Sequence, residues 1–282
     1  MEKNRKHTGM ILGPNLRDRS LVSTISGQDE QGQTSSFSVI EERPLSIFLN
    51  SQEIVTAMTI GDYPEYLALG FLRNQNLLKP EDQITGIDYD EELKTVIVRT
   101  KTETNYEQKL KRKIRTSGCA VGTVFGDMME SIEDINLPLC EVRTSWLYAL
   151  SRKINQIKSL YLEVGAIHGT VLCKEDRALV YMEDVGRHNA VDKVAGWMLR
   201  NKSEAEDKML YTTGRLTSEM VVKCANMGIP ALVSRSGFTA WGVELARATN
   251  MTLIGRLRGN RFTCLSGVTR LVYDADLRQK NG

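Results

Sequence analysis

Hydrophobic and polar positions along the 282-residue chain fall into three stretches. Residues 1–37 are rich in Gly, Gln, Ser and charge with no clear period, which predicts a polar, partly flexible arm. An apolar pattern begins near Ser38. SVIEERPLSIFLN and EIVTAMTI predict strands joined by a short turn, and PEYLALGFLRNQNLL has helical spacing at Tyr66, Leu69, Gly70 and Leu72 to Leu77. ITGIDYD and LKTVIVRT, joined by Glu91 and Glu92, predict a hairpin, because Val96 and Val98 alternate with polar neighbours. Residues 38–138 are therefore expected to form a small α+β domain that ends in the basic run KLKRKIR and the turn RTSGCAVG, with Pro138 marking the boundary.

From residue 139 to 282 the pattern changes. Thr144 is placed to cap a helix whose Leu147, Leu150, Ile154 and Ile157 share a face. Strand patterns (RALVYMEDV, KMLYTT, ALVSRS, MTLIGRL) then alternate with helical ones (RHNAVDKVAGWML, TSEMVVKCANM, TAWGVELARAT). Such alternation predicts right-handed crossovers and an α/β domain with a mixed, largely parallel sheet flanked by helices.

Composition narrows the class. Forty-one per cent of residues are hydrophobic and 26% charged, enough apolar material for a real core. Thirty-seven basic against 35 acidic residues leave a net charge of +2, which gives no global case for nucleic-acid or membrane partners. No apolar run is long enough to span a bilayer, and MEKNRKHTGM lacks the apolar segment of a signal peptide. Five cysteines without paired spacing predict reduced thiols and a cytoplasmic protein.

The candidate chemistry lies at the strand-to-helix junctions. DVGRHN, TTGRLTSE and SRSGFT place Arg187, Arg215 and Arg235 beside glycines, each just before a helix. In a parallel sheet these junctions share the carboxyl edge, where the free N–H groups of helix starts favour anions. One Gly-Arg junction reads as a turn beside a solvated charge. Three in register point instead to a large phosphate-bearing, nucleotide-like ligand. GRLRGNR, residues 255–261, adds Arg256, Arg258 and Arg261 around Leu257, Gly259 and Asn260.

His168 and His188 suit either ligand contact, with proton movement or metal ligation, or the orienting of a loop. Glu183 and Asp184 could act as a general base, though neutralising the arginines or capping a turn is the simpler reading. Zinc-dependent deamination needs H-x-E and P-C-x-x-C. Neither occurs, and no zinc or other metal site is expected. Cys140, Cys173, Cys224 and Cys264 read as core or strand residues. Cys119 on its own loop reads either as a buried turn residue or as a thiol that works alone, the nearby Lys109, Lys111, Arg112, Lys113 and Arg115 favouring thiolate. Gly122 stands where a C-x-x-C would have its second cysteine, so a dithiol mechanism is excluded.

EDVGRHNAVDK, with ERPLSIFLN, LALGFL, RTSGCAVG, VGAIHGT, TGRLTSEMV and IPALVSRS in that order, resembles the formate dehydrogenase accessory sulfurtransferase (FdhD) family over most of the chain from about Glu41. The resemblance implies a sulfur carrier that accepts sulfur from a cysteine desulfurase. It would pass that sulfur to a molybdenum or tungsten bis(molybdopterin guanine dinucleotide) cofactor destined for formate dehydrogenase. It also implies a homodimer and a cytidine-deaminase-like second domain without zinc. By position, Cys119 matches the persulfide-bearing cysteine, and Arg256 to Arg261 match the segment contacting the guanine dinucleotide cofactor. The alternative is a chaperone that binds the cofactor for formate dehydrogenase without carrying sulfur, a reading favoured by Gly122.

Overall fold

The computed structural model describes residues 9–101, 132 and 134–275. Cys119, its turn and the preceding basic run lie outside the described residues.

Strict alternation builds the first sheet. In β3 (Arg43–Leu49), Leu45, Ile47 and Leu49 are buried while Ser46 and Phe48 are not. β3 pairs antiparallel with β4 (Gln52–Thr59) and parallel with β6 (Thr95–Thr100), which forms a hairpin with β5 (Ile84–Asp90). The order is β4-β3-β6-β5, with β4 at one edge. Helix α1 (Pro64–Asn74) lays Leu67, Leu69 and Leu72 on this sheet, and Pro64 opens it at the position where a missing N–H costs nothing.

The expected arm departs from its reading over the described residues. β1 (Val22–Gln28) and β2 (Thr34–Ile40) form an antiparallel hairpin, so SVIEERPLSIFLN is broken between Ile40 and Arg43 rather than one strand. Ile11 and Leu12 hydrogen-bond along β9 (Arg177–Asp184), through Ile11 N to Leu179 O (2.8 Å) and Tyr181 N to Leu12 O (2.9 Å). Ser- and Thr-rich strands with only scattered apolar residues conceal such pairing from a periodicity argument.

The second sheet has the order β13-β12-β11-β10-β8-β9. β9, β10 (Met209–Thr212), β11 (Ala231–Ser234) and β12 (Thr252–Arg258) run one way. β8 (His168–Lys174) and β13 (Arg261–Ser266) run the other. The expected mixed, largely parallel sheet is thus present, with two elements unforeseen: β8, inserted between β9 and β10, and the edge strand β13. The crossover helices α4 (Arg187–Arg200), α5 (Ser218–Asn226) and α6 (Ala240–Ala248) bury their apolar sides on one face. The opposite face is covered by α2 (Thr144–Gln156) through Leu147, Leu150 and Ile154. Thr144 is the first residue of α2 rather than its cap. Asp274 accepts from Ser145 N (2.9 Å) and from the Thr144 hydroxyl (3.2 Å), a cap supplied from a distant part of the chain beside the short pairing of β7 (Val142–Arg143) with β14 (Leu271–Val272). A short helix, α3 (Leu160–Glu163), precedes β8.

The two units meet where α1 crosses α4. A Cβ on Gly70 would lie 1.7 Å from Asp192 O, and one on Gly196 would lie 1.9 Å from Tyr66 O, so only glycine at both positions permits this approach.

Candidate functional site

The carboxyl ends of β9, β10, β11 and β12 lie on one edge, and because β8 runs against them its first residue, His168, starts there, opposite Asp184 in register. The junction loops are stitched together. Leu216 N donates to Gly237 O (2.9 Å) and Thr239 N to Leu216 O (3.0 Å), while the Ser234 hydroxyl donates to Gly214 O (2.6 Å). The structure therefore brings the three Arg-Gly junctions and His168 to a common edge.

Two groups of side chains form along it. In the first, Gly214 allows Arg187 to pass close by, since a Cβ there would sit 3.0 Å from two Arg187 side-chain carbons. His168 Nδ1 lies 3.4 Å from the Thr213 hydroxyl, which also accepts from Gly169 N at 3.0 Å. Burial lowers the His168 pKa, and the Arg187 and Arg215 guanidiniums lower it further. His188 is pushed down to about 2 by burial, with Lys223, Arg187, His168 and Arg215 adding to the effect. Both imidazoles are neutral at physiological pH, so the arginines supply the positive charge here.

The second group is Arg235, Arg256 and Arg258. Arg235 stacks over Tyr161 at 5.6 Å, and its carbonyl accepts from Arg258 Nε at 3.4 Å. Arg256 lies over Phe238 at 5.2 Å, and its N–H bonds Ser236 O at 2.9 Å. Its φ of 58° lies in the left-handed region, within an irregularity of the β12–β13 ladder. Arg258 and Arg261 pair across the hairpin turn made by Gly259 and Asn260, and these four residues are exposed. Leu257 corrects the expectation. Alternation along β12 turns it inward to 1% exposure in the core, while its arginine neighbours point to solvent.

The acidic pair has structural partners. Glu183 is buried and accepts from Leu160 N (2.9 Å) and Tyr161 N (2.8 Å), capping α3. Burial raises its pKa to about 7 against those bonds. Asp184 accepts from Gly186 N (3.2 Å) and Asn189 Nδ2 (3.0 Å), which fixes the start of α4. It also pairs with Lys193 rather than with an arginine, Nζ to Oδ2 2.6 Å. Lys193 reaches Asp62 Oδ1 at 2.5 Å, and the Thr59 hydroxyl donates to Asp184 at 2.5 Å, so the first unit is tied directly to the loop that carries Arg187 and His188.

Sequence reasoning missed this network. Its only signal was Asp192 and Lys193 lying inside the apolar run AVDKVAGWM, where charges need buried partners. Among the described residues, no three His, Cys, Asp or Glu side chains are grouped to hold a metal. No helix among them is long and apolar enough to cross a membrane.

Comparison with known proteins places this geometry in a family. The FdhD/NarQ family model matches residues 40–272. The sulfur carrier protein FdhD of Listeria monocytogenes is 30% identical over 83% of this chain and 91% of its own. That of Bacillus subtilis is 28% identical over 86% and 94%. A crystal structure from Desulfotalea psychrophila, described as a formate dehydrogenase accessory protein, superposes with a TM-score of 0.73 at 28% identity, covering 89% of this chain and 98% of that one. The chain belongs to the FdhD/NarQ family.

Proposed function

We propose that this protein is a sulfur carrier serving formate dehydrogenase, and that it carries the sulfur as a persulfide on Cys119. The relatives' names support the coarse role. The finer step rests on the state of the other thiols. Cys140, Cys173, Cys224 and Cys264 are free, and burial pushes every one of their pKa values up, which makes each a poor nucleophile. Cys119, beside its basic run, is the remaining thiol. In the loading step its thiolate attacks the outer sulfur of a cysteine desulfurase persulfide. A new S–S bond forms, the donor's S–S bond breaks, and the donor departs as a thiolate.

The substrate to which the sulfur goes is, on this reading, a molybdenum or tungsten bis(molybdopterin guanine dinucleotide) cofactor. The edge suits it. Two groups of arginines face a ligand with two pyrophosphates, the positive end of the α4 dipole lies at the same edge, and Gly237 leaves open space beside the backbone. Arg187, Arg215, Arg235, Arg256 and Arg258 would hold the phosphates, and His168 and His188, both neutral, would orient the ring systems. In vivo, Cys119→Ala is expected to abolish formate dehydrogenase activation while the purified variant still binds guanine nucleotide. A chaperone that carries no sulfur would keep both properties.

A further inference from the structure

Strand β9 ends in two consecutive carboxylates, and strand alternation sends them to different partners. Asp184 fixes the start of α4 and with it Arg187. Glu183 is 1% exposed and serves α3 instead. Its Oε2 accepts from Leu160 N at 2.9 Å and its Oε1 from Tyr161 N at 2.8 Å, while the Ser159 hydroxyl accepts from Leu162 N at 3.3 Å. Side chains thereby take up all three leading N–H groups of this helix. A helix of four residues has no stability of its own. Its place is set by these bonds and by Leu160, which is buried with Leu21, Ile60 and Ile167. Tyr161, half-buried beside Leu160, meets the second arginine group. The guanidinium of Arg235 lies 5.6 Å from its ring centre, and the contact of that guanidinium with Asn155 Oδ1 is stretched to 3.5 Å. Among the described residues, the ring is the main constraint on where the Arg235 charge points.

We propose that Glu183 is a positioning residue for the ligand edge: by seating Tyr161 it aims the Arg235 guanidinium at the ligand's phosphates, a role that rests on the edge being a phosphate-binding site, as in the proposed function. Asp184 does the same for Arg187 at the start of α4, so neighbouring carboxylates on one strand each set one arginine group. Glu183 itself does not touch the ligand. Its two oxygens both accept, a task that glutamine cannot copy, because one acceptor becomes an NH2 facing a backbone N–H. Without its seat, Arg235 samples other rotamers, and ordering it again on binding costs affinity.

Calorimetric titration of the full-length protein with GDP tests the role. Arg235→Ala is expected to weaken binding about tenfold. Glu183→Gln and Tyr161→Leu are each expected to weaken it about fivefold. Tyr161→Phe, which keeps the ring, should bind like wild type. The double variant Glu183→Gln/Tyr161→Leu should be no weaker than Tyr161→Leu alone, because both changes remove one support. A residue that only stabilises the fold would lower the unfolding midpoint and leave the affinity of the folded protein unchanged. Wild-type affinity in Glu183→Gln would therefore overturn the proposal, as would additive losses in the double variant. Should Glu183→Gln fail to fold, wild-type affinity in Tyr161→Leu overturns it equally, and so does a loss in Tyr161→Phe as large as that in Tyr161→Leu. No GDP binding by the wild type would remove the phosphate-edge reading and the proposal with it. Binding that falls in Arg235→Ala but not in Glu183→Gln would remove the positioning role alone.

Discussion

Lys193 and Lys223 are buried and end on carboxylates, Asp62 and Asp184 for the first and Asp192 for the second. Arg215, Arg256 and Arg258 are exposed on the sheet edge, and among the described residues Arg256 meets an aromatic ring and Arg258 a backbone carbonyl, contacts that leave the charge uncancelled. Burial works against the charge on Lys193, but the Asp184 and Asp62 carboxylates override it and raise its pKa. The first set spends its charge inside the protein, locking α1 and the Thr59–Asp62 turn onto α4. The second keeps its charge for something that arrives from outside. The difference separates residues that hold the site together from residues that would meet the ligand, although all are cations of the second unit.

Breaking the buried set should have the largest effect on stability. Lys193→Met leaves Asp62 and Asp184 facing each other without a cation, and is expected to cost about 3–5 kcal/mol in urea unfolding. A loss below about 1 kcal/mol would remove the claim that this lysine locks the units together.

The buried acid next to that network gives a pH signature. Glu183 holds its proton in the folded state up to about 7, against 4.5 as its ordinary value. Between those pH values the folded state binds more protons than the unfolded one, so stability falls as pH rises through the window, by up to about 3 kcal/mol. Glu183→Gln should flatten this part of the stability curve, and contributions from other groups such as His188 cancel in the comparison with wild type. Parallel curves for the two proteins would show that Glu183 does not titrate in the window.

The exposed set should behave in the opposite way. Arg215→Ala is expected to shift stability by no more than about 0.5 kcal/mol. Its nucleotide affinity should drop by about tenfold, the value of one charge-assisted contact. A marked loss of stability with unchanged affinity would place Arg215 in the structural set.

Much of the exposed set was legible in the sequence, because Gly-Arg at a strand-to-helix junction is local, and sheet topology alone brings successive junctions to one edge. The alternating strands of residues 177–258 and the hairpin of Thr95–Thr100 with Ile84–Asp90 were legible for the same reason. The buried set was not. Thr59 meets Asp184 at the end of β9, and Asp62 and Asn74 meet α4, each across more than a hundred residues, and no short-range pattern reports such a pairing. β8 was missed because Gly169 and Thr170 at its start mimic a turn, and Leu257 because the family resemblance matched the segment 256–261 as a whole, without regard to the alternation that turns this side chain inward. The Asp274 cap on α2 likewise comes from far along the chain.

The central claim, that a lone thiol carries the sulfur, is tested most directly by the intact mass of the protein after incubation with a cysteine desulfurase and cysteine. The account predicts a gain of one sulfur atom on the wild type, removed by reductant and absent from Cys119→Ala. No gain on the wild type, with the same desulfurase shown to load another acceptor, would contradict it.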